Sequence, residues 1–145
     1  MSRKKFTNVT NQDGLQVIPY EFPVASGAAA TIADGMMVAI SSNNFAESSN
    51  GATSTSGIAA DASDDTAAAA GTVRVYRSPV LRAEAFATTP ANLSSSTLLT
   101  LVTLDVTGTD HTIDENDTSS GFIRIVEQDI RGITGLCLVE FAVTL

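Results

Sequence analysis

The chain has 145 residues and a mass of 15.0 kDa, which suits one domain with one hydrophobic core. Because 43% of the residues are hydrophobic and 17% are charged, the composition is that of a folded domain and excludes general disorder. A single cysteine excludes an intramolecular disulfide and a cysteine-rich metal site, and a net charge of −8 argues against nucleic acid as a partner.

The N-terminus carries the one concentration of basic charge. Arg3, Lys4 and Lys5 are followed by polar residues rather than by the apolar run of a signal peptide. No window reaches the roughly 18–20 apolar residues that span a bilayer, so the sequence predicts a soluble protein without a membrane partner. We expect residues 1–14 to form a flexible basic arm and residues 15–145 to form a single β-rich domain.

Short segments with alternating or β-branched residues recur between Gly, Asn, Asp and Ser, which is typical of strands. Residues 15–22 alternate in part, but Pro19 and Pro23 cannot donate to a ladder, so an edge strand or extended arm is predicted. Asp34-Gly35 predicts a tight turn before a buried strand over residues 36–40. The polar residues 41–57 predict a long, mobile loop.

The second half of the chain continues this pattern. Residues 61–71 are ambiguous between a single helical turn over the alanines and a loop. Residues 72–77 alternate cleanly, and further apolar strands follow up to residue 143. Seven or eight short strands predict an all-β fold, a small antiparallel β-sandwich or barrel with an extended N-terminal arm and long loops. The predicted core residues are Val38, Ile40, Val73, Val75, Leu101, Leu104, Ile123, Ile125, Leu138 and Phe141.

The sequence offers little for catalysis. His111 is the one histidine, and its place in an acidic turn predicts a solvent-exposed loop residue rather than a catalytic base. The common hydrolase, nucleotide and dinucleotide motifs are missing, so no enzyme activity is expected. Cys137 lies in an apolar run, which predicts a buried small hydrophobic residue.

Carboxylates are the most abundant reactive groups, and five of them lie close together in sequence: Asp105, Asp110, Asp114, Glu115 and Asp117. Such an oxygen-rich turn can bind Ca²⁺, but the EF-hand pattern counted from Asp114 fails because Ser119 and Ile125 occupy its sixth and twelfth positions. A solvated acidic hairpin tip without metal or other cofactor is therefore predicted, with a Ca²⁺ site or a carboxylate enzyme as the weaker alternative.

The order of strands and glycines resembles a known family. The segments that carry the resemblance are Ala25–Ile40, Gly57–Asp61, Gly71–Val75, Gly121–Ile125 and Cys137–Phe141. Over about residues 15–143 the chain resembles the head decoration (capsid cement) proteins of tailed bacteriophages. The resemblance implies a β-rich virion protein that binds the outer surface of the expanded head, commonly as a trimer, and ties neighbouring major capsid proteins together.

Under that resemblance, the arm and the proline-interrupted segment are candidates for strand addition to a neighbouring capsid protein. The predicted capsid-binding residues are Arg3, Lys4, Lys5, Phe6, Val17, Tyr20 and Phe22. A second interpretation is a tail, fibre or other surface-binding module that uses residues 41–57 as its recognition tip.

Overall fold

The computed structural model describes residues 3–24, 32–40, 46–48, 54–62 and 71–144. As the sequence predicts, the chain is nearly all β, with two antiparallel sheets in a curled, sandwich-like arrangement. The strands are β1 (Thr7–Asn11), β2 (Tyr20–Pro23), β3 (Met37–Ile40), β4 (Ala46–Ser48), β5 (Gly57–Ala59), β6 (Thr72–Tyr76), β7 (Val80–Phe86), β8 (Leu101–Thr107), β9 (Asp110–Asp114), β10 (Ile123–Glu127) and β11 (Leu136–Ala142). Two short 3-10 turns cover Pro90–Asn92 and Ile130–Gly132.

The first sheet has the order β1-β7-β11-β10-β8-β9 and curls on itself. Its edge strand β9 returns to the end of β7, where Ala87 and Ile113 form a parallel bridge and the Thr88 amide donates to the Ile113 carbonyl at 2.9 Å. Because side chains alternate along a strand, the inward positions of β7, β11, β10, β8 and β9 share one interior. That interior contains most of the larger hydrophobic core.

The second sheet has the order β2-β6-β5-β3-β4 and buries residues on both faces. Met37 and Ile58 belong to the larger core, whereas their chain neighbours Val38 and Ala59 belong to a second, smaller core. Successive residues of a strand point to opposite faces, so this sheet lies between the two cores.

Seven of the ten predicted core residues are buried, namely Val38, Val73, Val75, Leu104, Ile123, Ile125 and Phe141. Ile40 and Leu138 are half-buried and Leu101 is exposed. Leu138 departs from the prediction because Cys137 and Val139 take the inward positions of β11. Leu101 pairs with the exposed Arg124 on the outer face of the first sheet.

The N-terminal segment differs from the expected flexible arm over its described part, residues 3–14. Strand β1 pairs with β7, and Phe6 is buried in the larger core. The predicted loop 41–57 includes β4, which pairs with β3, and Thr55 and Ser56 are buried. Residues 41–45 and 49–53 of that loop, and residues 63–70 of the ambiguous alanine-rich run, lie outside the described residues.

Candidate functional site

The three predicted basic docking residues contact their own chain. The Arg3 guanidinium donates to the Thr109 carbonyl at 2.8 Å and pairs with the Asp34 carboxylate at 3.0 Å. The Lys5 ammonium pairs with the other oxygen of Asp34 at 2.5 Å, and the Lys4 ammonium lies 5.8 Å from the centre of the Phe86 ring. The hydrogen bond from Lys5, together with the charge of Arg3, lowers the pKa of Asp34 below its usual value.

Residues 3–6 form what we call the N-terminal clasp, because their backbone joins the two sheets. The Lys4 amide donates to Asp110 Oδ1 and the Lys4 carbonyl accepts from the His111 amide, both at 3.1 Å. On the other side, the Phe6 amide donates to the Gly35 carbonyl at 2.9 Å. The clasp therefore connects the β8–β9 hairpin to the turn that precedes β3.

Phe6 anchors the clasp in the larger core. Its side chain is 2% exposed, and its ring meets the Phe141 ring edge to face with centroids 6.1 Å apart. Gly35 lets the clasp approach, since a Cβ on this residue would lie 2.6 Å from the Phe6 carbonyl oxygen and 2.7 Å from Lys5 Cβ. Phe6 is therefore a core residue and cannot contact a partner without leaving the core.

The proline-interrupted segment places its apolar residues differently. Val17 is buried, and Phe22 is half-buried beneath the Arg77 guanidinium, which lies 5.6 Å from the centre of its ring. Tyr20 is 62% exposed, and two residues that the sequence analysis did not select, Leu15 and Ile18, are 61% and 76% exposed. We call the exposed side chains of Leu15, Ile18 and Tyr20 the 15–20 surface.

The free edge of β2 is closed to most backbone pairing. The Val24 amide donates to the Gly71 carbonyl on the β6 side, and the Arg74 carbonyl of β6 points away from β2 and accepts from the Ala60 amide. Because the direction of the backbone hydrogen bonds alternates along an antiparallel strand, the amides of Tyr20 and Phe22 also point toward β6. The backbone amide positions of residues 19, 21 and 23 therefore point away from β6, and two of these residues are prolines, which have no amide hydrogen. Strand addition at this edge has one amide donor, that of Glu21, so recognition here depends on side chains.

His111 is not the exposed loop residue that the sequence predicts. It is fully buried in β9 opposite Val106, and its Nδ1 accepts a hydrogen bond from the Met37 amide at 3.1 Å. Burial, with the nearby charge of Arg3, lowers the pKa of His111 to about 4. The prediction failed because the hairpin turn ends before Asp110, which places His111 inside the strand with its ring toward the sheet interface.

Cys137 is buried, as the sequence predicts, and it forms no disulfide. Burial raises the pKa of its thiol to about 11, so the side chain stays protonated and unreactive at neutral pH. The interior of the curled sheet therefore uses this cysteine as a small apolar residue.

The five neighbouring acidic residues do not converge on one site. Glu115 is buried, unlike the solvated carboxylate that the sequence predicts. Its Oε1 accepts a hydrogen bond from the Thr89 amide at 2.7 Å, which compensates for the lost contact with water. Asp105 accepts from the Thr88 hydroxyl, and Asp114 accepts from an amide of its own turn. Among the described residues, no group of three or more His, Cys, Asp or Glu is placed to hold a metal ion.

Comparisons of the chain with protein-family models, with curated proteins and with solved structures find no match. The resemblance to phage decoration proteins therefore stays a prediction. In the part of the chain that the structure describes, no helix is long and apolar enough to cross a membrane.

Proposed function

We propose that this protein is a structural virion component that binds the outer surface of an expanded phage head and ties neighbouring major capsid proteins together. The 15–20 surface is the observation that carries the proposal. It exposes three large apolar side chains although the chain has two buried cores for such residues; Tyr20 lies in the edge strand β2, and Leu15 and Ile18 lie in the segment that leads to it. Exposed apolar patches on small proteins commonly mark an interface with another protein.

The segment that presents this surface is held in place before any partner binds. Asn11 Oδ1 accepts hydrogen bonds from the amides of Asp13 and Leu15, both at 2.9 Å, and the Asn11 amide donates to the Leu15 carbonyl at 2.9 Å. A surface that is already ordered loses little conformational entropy on binding. Leu15 is therefore presented to a partner at a small entropic cost.

The size of the surface favours many weak contacts rather than one strong contact. Full burial of a large apolar side chain contributes about 1.5–3 kcal/mol, so three of them supply about 5–9 kcal/mol before the cost of association. Association itself costs about 4–15 kcal/mol, so a single copy binds weakly. A trimer on a repeating capsid lattice would overcome this limit because its second and third contacts form at a high effective concentration.

The test is co-sedimentation of the purified protein with expanded, undecorated heads of the phage that encodes it. The proposal expects saturable binding near one copy per capsid subunit. Ile18→Ser should weaken this binding, whereas Ile133→Ser, a matched control on another exposed isoleucine, should leave it unchanged. Failure to bind heads at any ionic strength would contradict the proposal, and localisation to tails would favour a tail or fibre component.

A further inference from the structure

His111 joins three elements at the junction of the two sheets. It belongs to β9, its amide donates to the Lys4 carbonyl of the clasp, and its Nδ1 accepts from the Met37 amide of β3. The ring is fully buried, and its Nε2 has no hydrogen-bond partner among the described residues. Because Nδ1 is the acceptor, the neutral ring carries its proton on Nε2.

Protonation of this ring would remove the contact to β3. A second proton can bind only at Nδ1, which would then be a donor facing the Met37 amide, itself a donor. The new charge would also lie in the protein interior, where an unpaired charge is strongly unfavourable.

The charged groups around His111 act in opposite directions. Arg3 of the clasp opposes a positive ring, and Asp110 of β9 favours it. Asp34, from the turn before β3, is already paired with Arg3 and Lys5, and Asp110 Oδ1 accepts from the Lys4 amide. No carboxylate of the described residues accepts a hydrogen bond from the ring, so a buried imidazolium would have the charge of Asp110 nearby but no hydrogen-bonded counterion.

We infer that His111 is an acid-sensitive lock between the two sheets. In its neutral form it holds the clasp and β3 against β9. In its protonated form the clasp and β3 separate from β9, and Phe6 leaves the core before the rest of the first sheet unfolds. This property does not depend on binding to a phage head.

The pH range of the lock follows from the difference between the closed and open states. An exposed histidine has a pKa of about 6.5, whereas the buried ring has a pKa of about 4, so the open state binds the proton more tightly. The lock is at full strength above pH 6.5 and weakens as the pH falls toward 4. The opening equilibrium constant rises about tenfold per pH unit in this range, or roughly 300-fold in total.

The carboxylates with lowered pKa values act in a separate range. Hydrogen bonds from Lys5 and Arg131 lower the pKa values of Asp34 and Glu84, respectively, below their usual values of 3.8 and 4.5. Their contributions to stability are therefore lost below about pH 4.5. A loss of stability that begins near pH 6.5 therefore comes from His111 rather than from Asp34 or Glu84.

The first measurement is an NMR titration of the imidazole, which gives one unambiguous set of signals because the chain has a single histidine. We expect the Nε2–H tautomer at neutral pH and an apparent pKa well below 6.5. An apparent pKa at or above 6.5 would overturn the inference. This measurement uses the wild-type protein and so does not depend on the folding of any variant.

The second measurement is native-state hydrogen exchange, corrected for the intrinsic effect of pH, at pH 6.5, 5.5 and 4.5. We expect the Met37 and Phe6 amides to lose protection about tenfold per pH unit, with a smaller dependence on added denaturant than global unfolding shows, because the opening exposes only part of the buried surface. Amides of β10 and β11, such as Ile125 and Val139, should be more protected and should show the denaturant dependence of global unfolding. Exchange of the Met37 and Phe6 amides by global unfolding alone would overturn the lock.

His111→Asn is the matched variant. The Oδ1 of asparagine can replace the imidazole Nδ1 as the acceptor for the Met37 amide, and asparagine does not titrate. The variant should lose the pH dependence of the Met37 and Phe6 amides between pH 6.5 and 4.5. Persistence of that dependence in His111→Asn would assign it to other groups and overturn the inference. If the variant does not fold, the wild-type titration and exchange decide the question.

Discussion

Truncation of Phe6 tests whether the N-terminus is part of the folded core. Phe6→Ala removes a ring that is 2% exposed and packs edge to face on Phe141. Phenylalanine-to-alanine changes in a core cost about 3–5 kcal/mol, which combines lost transfer free energy with the cavity that remains. The total stability of a domain is about 5–15 kcal/mol, so we expect the loss to be a large fraction of the total.

The assay is urea unfolding at pH 7.5, followed by far-UV circular dichroism, with thermal unfolding as a second measure. A loss of this size lowers the Tm by on the order of 10 °C for a chain of this length. Ile18→Ala is the control, because Ile18 is 76% exposed and its truncation should change stability by less than about 0.5 kcal/mol. If Phe6→Ala were as mild as this control, the N-terminus would be the flexible arm that the sequence predicts.

Three further predictions concern single residues. Gly35→Ala should destabilise the protein by more than about 1 kcal/mol in urea unfolding, because Gly35 has a φ of +79° and its added Cβ would clash with the clasp; an unchanged midpoint would contradict that packing. Arg131→Ala should return the pKa of Glu84 toward its usual value, since the Arg131 hydrogen bond is the main cause of its lowering. The stability that ionised Glu84 contributes is present above pH 4.5 and is lost on acidification. The free energy of unfolding should therefore change less between pH 5 and pH 3 in the variant than in the wild type. Cys137 should resist a thiol reagent in the native protein and react on unfolding, because it is buried and its pKa is raised to about 11; rapid native labelling would contradict this.

Local patterns predict most of the strands because alternation and turn residues act over a few positions. The strand over residues 72–76 and the turn at Asp34-Gly35 both follow from such short-range signals. Burial of the strand interiors was predicted for the same reason, since the inward positions repeat every second residue. Leu138 shows the limit of this reasoning, because a strand that is apolar at every position does not reveal which of its two alternating sets of side chains faces inward.

The failures concern contacts between residues that are far apart in the sequence. Phe6 packs on Phe141 and Arg3 pairs with Asp34, and nothing next to these residues in the sequence identifies either partner. A basic terminus with no visible partner in the sequence therefore predicts a flexible arm. His111 was misplaced for a related reason, since its burial depends on β3 and the clasp rather than on the turn beside it.

The internal role of the clasp restricts how the proposed docking can occur. Arg3 and Lys5 are paired with Asp34, Phe6 is buried, and the prolines block most of the β2 edge, so the 15–20 surface is the exposed apolar part of the predicted docking segments. If Ile18 is fully buried on binding, its loss costs each copy about 1.5–3 kcal/mol, or roughly 10–150-fold in affinity.

A trimer that engages three such surfaces at once multiplies this effect. If the three contacts are independent, Ile18→Ser should reduce lattice affinity by up to the cube of the factor for one copy. Titration of capsid heads with wild-type and variant protein, beside binding to a single isolated capsid subunit, measures both factors. Equal factors in the two assays would mean that each copy binds through one contact alone, and the multivalent mechanism would then be wrong.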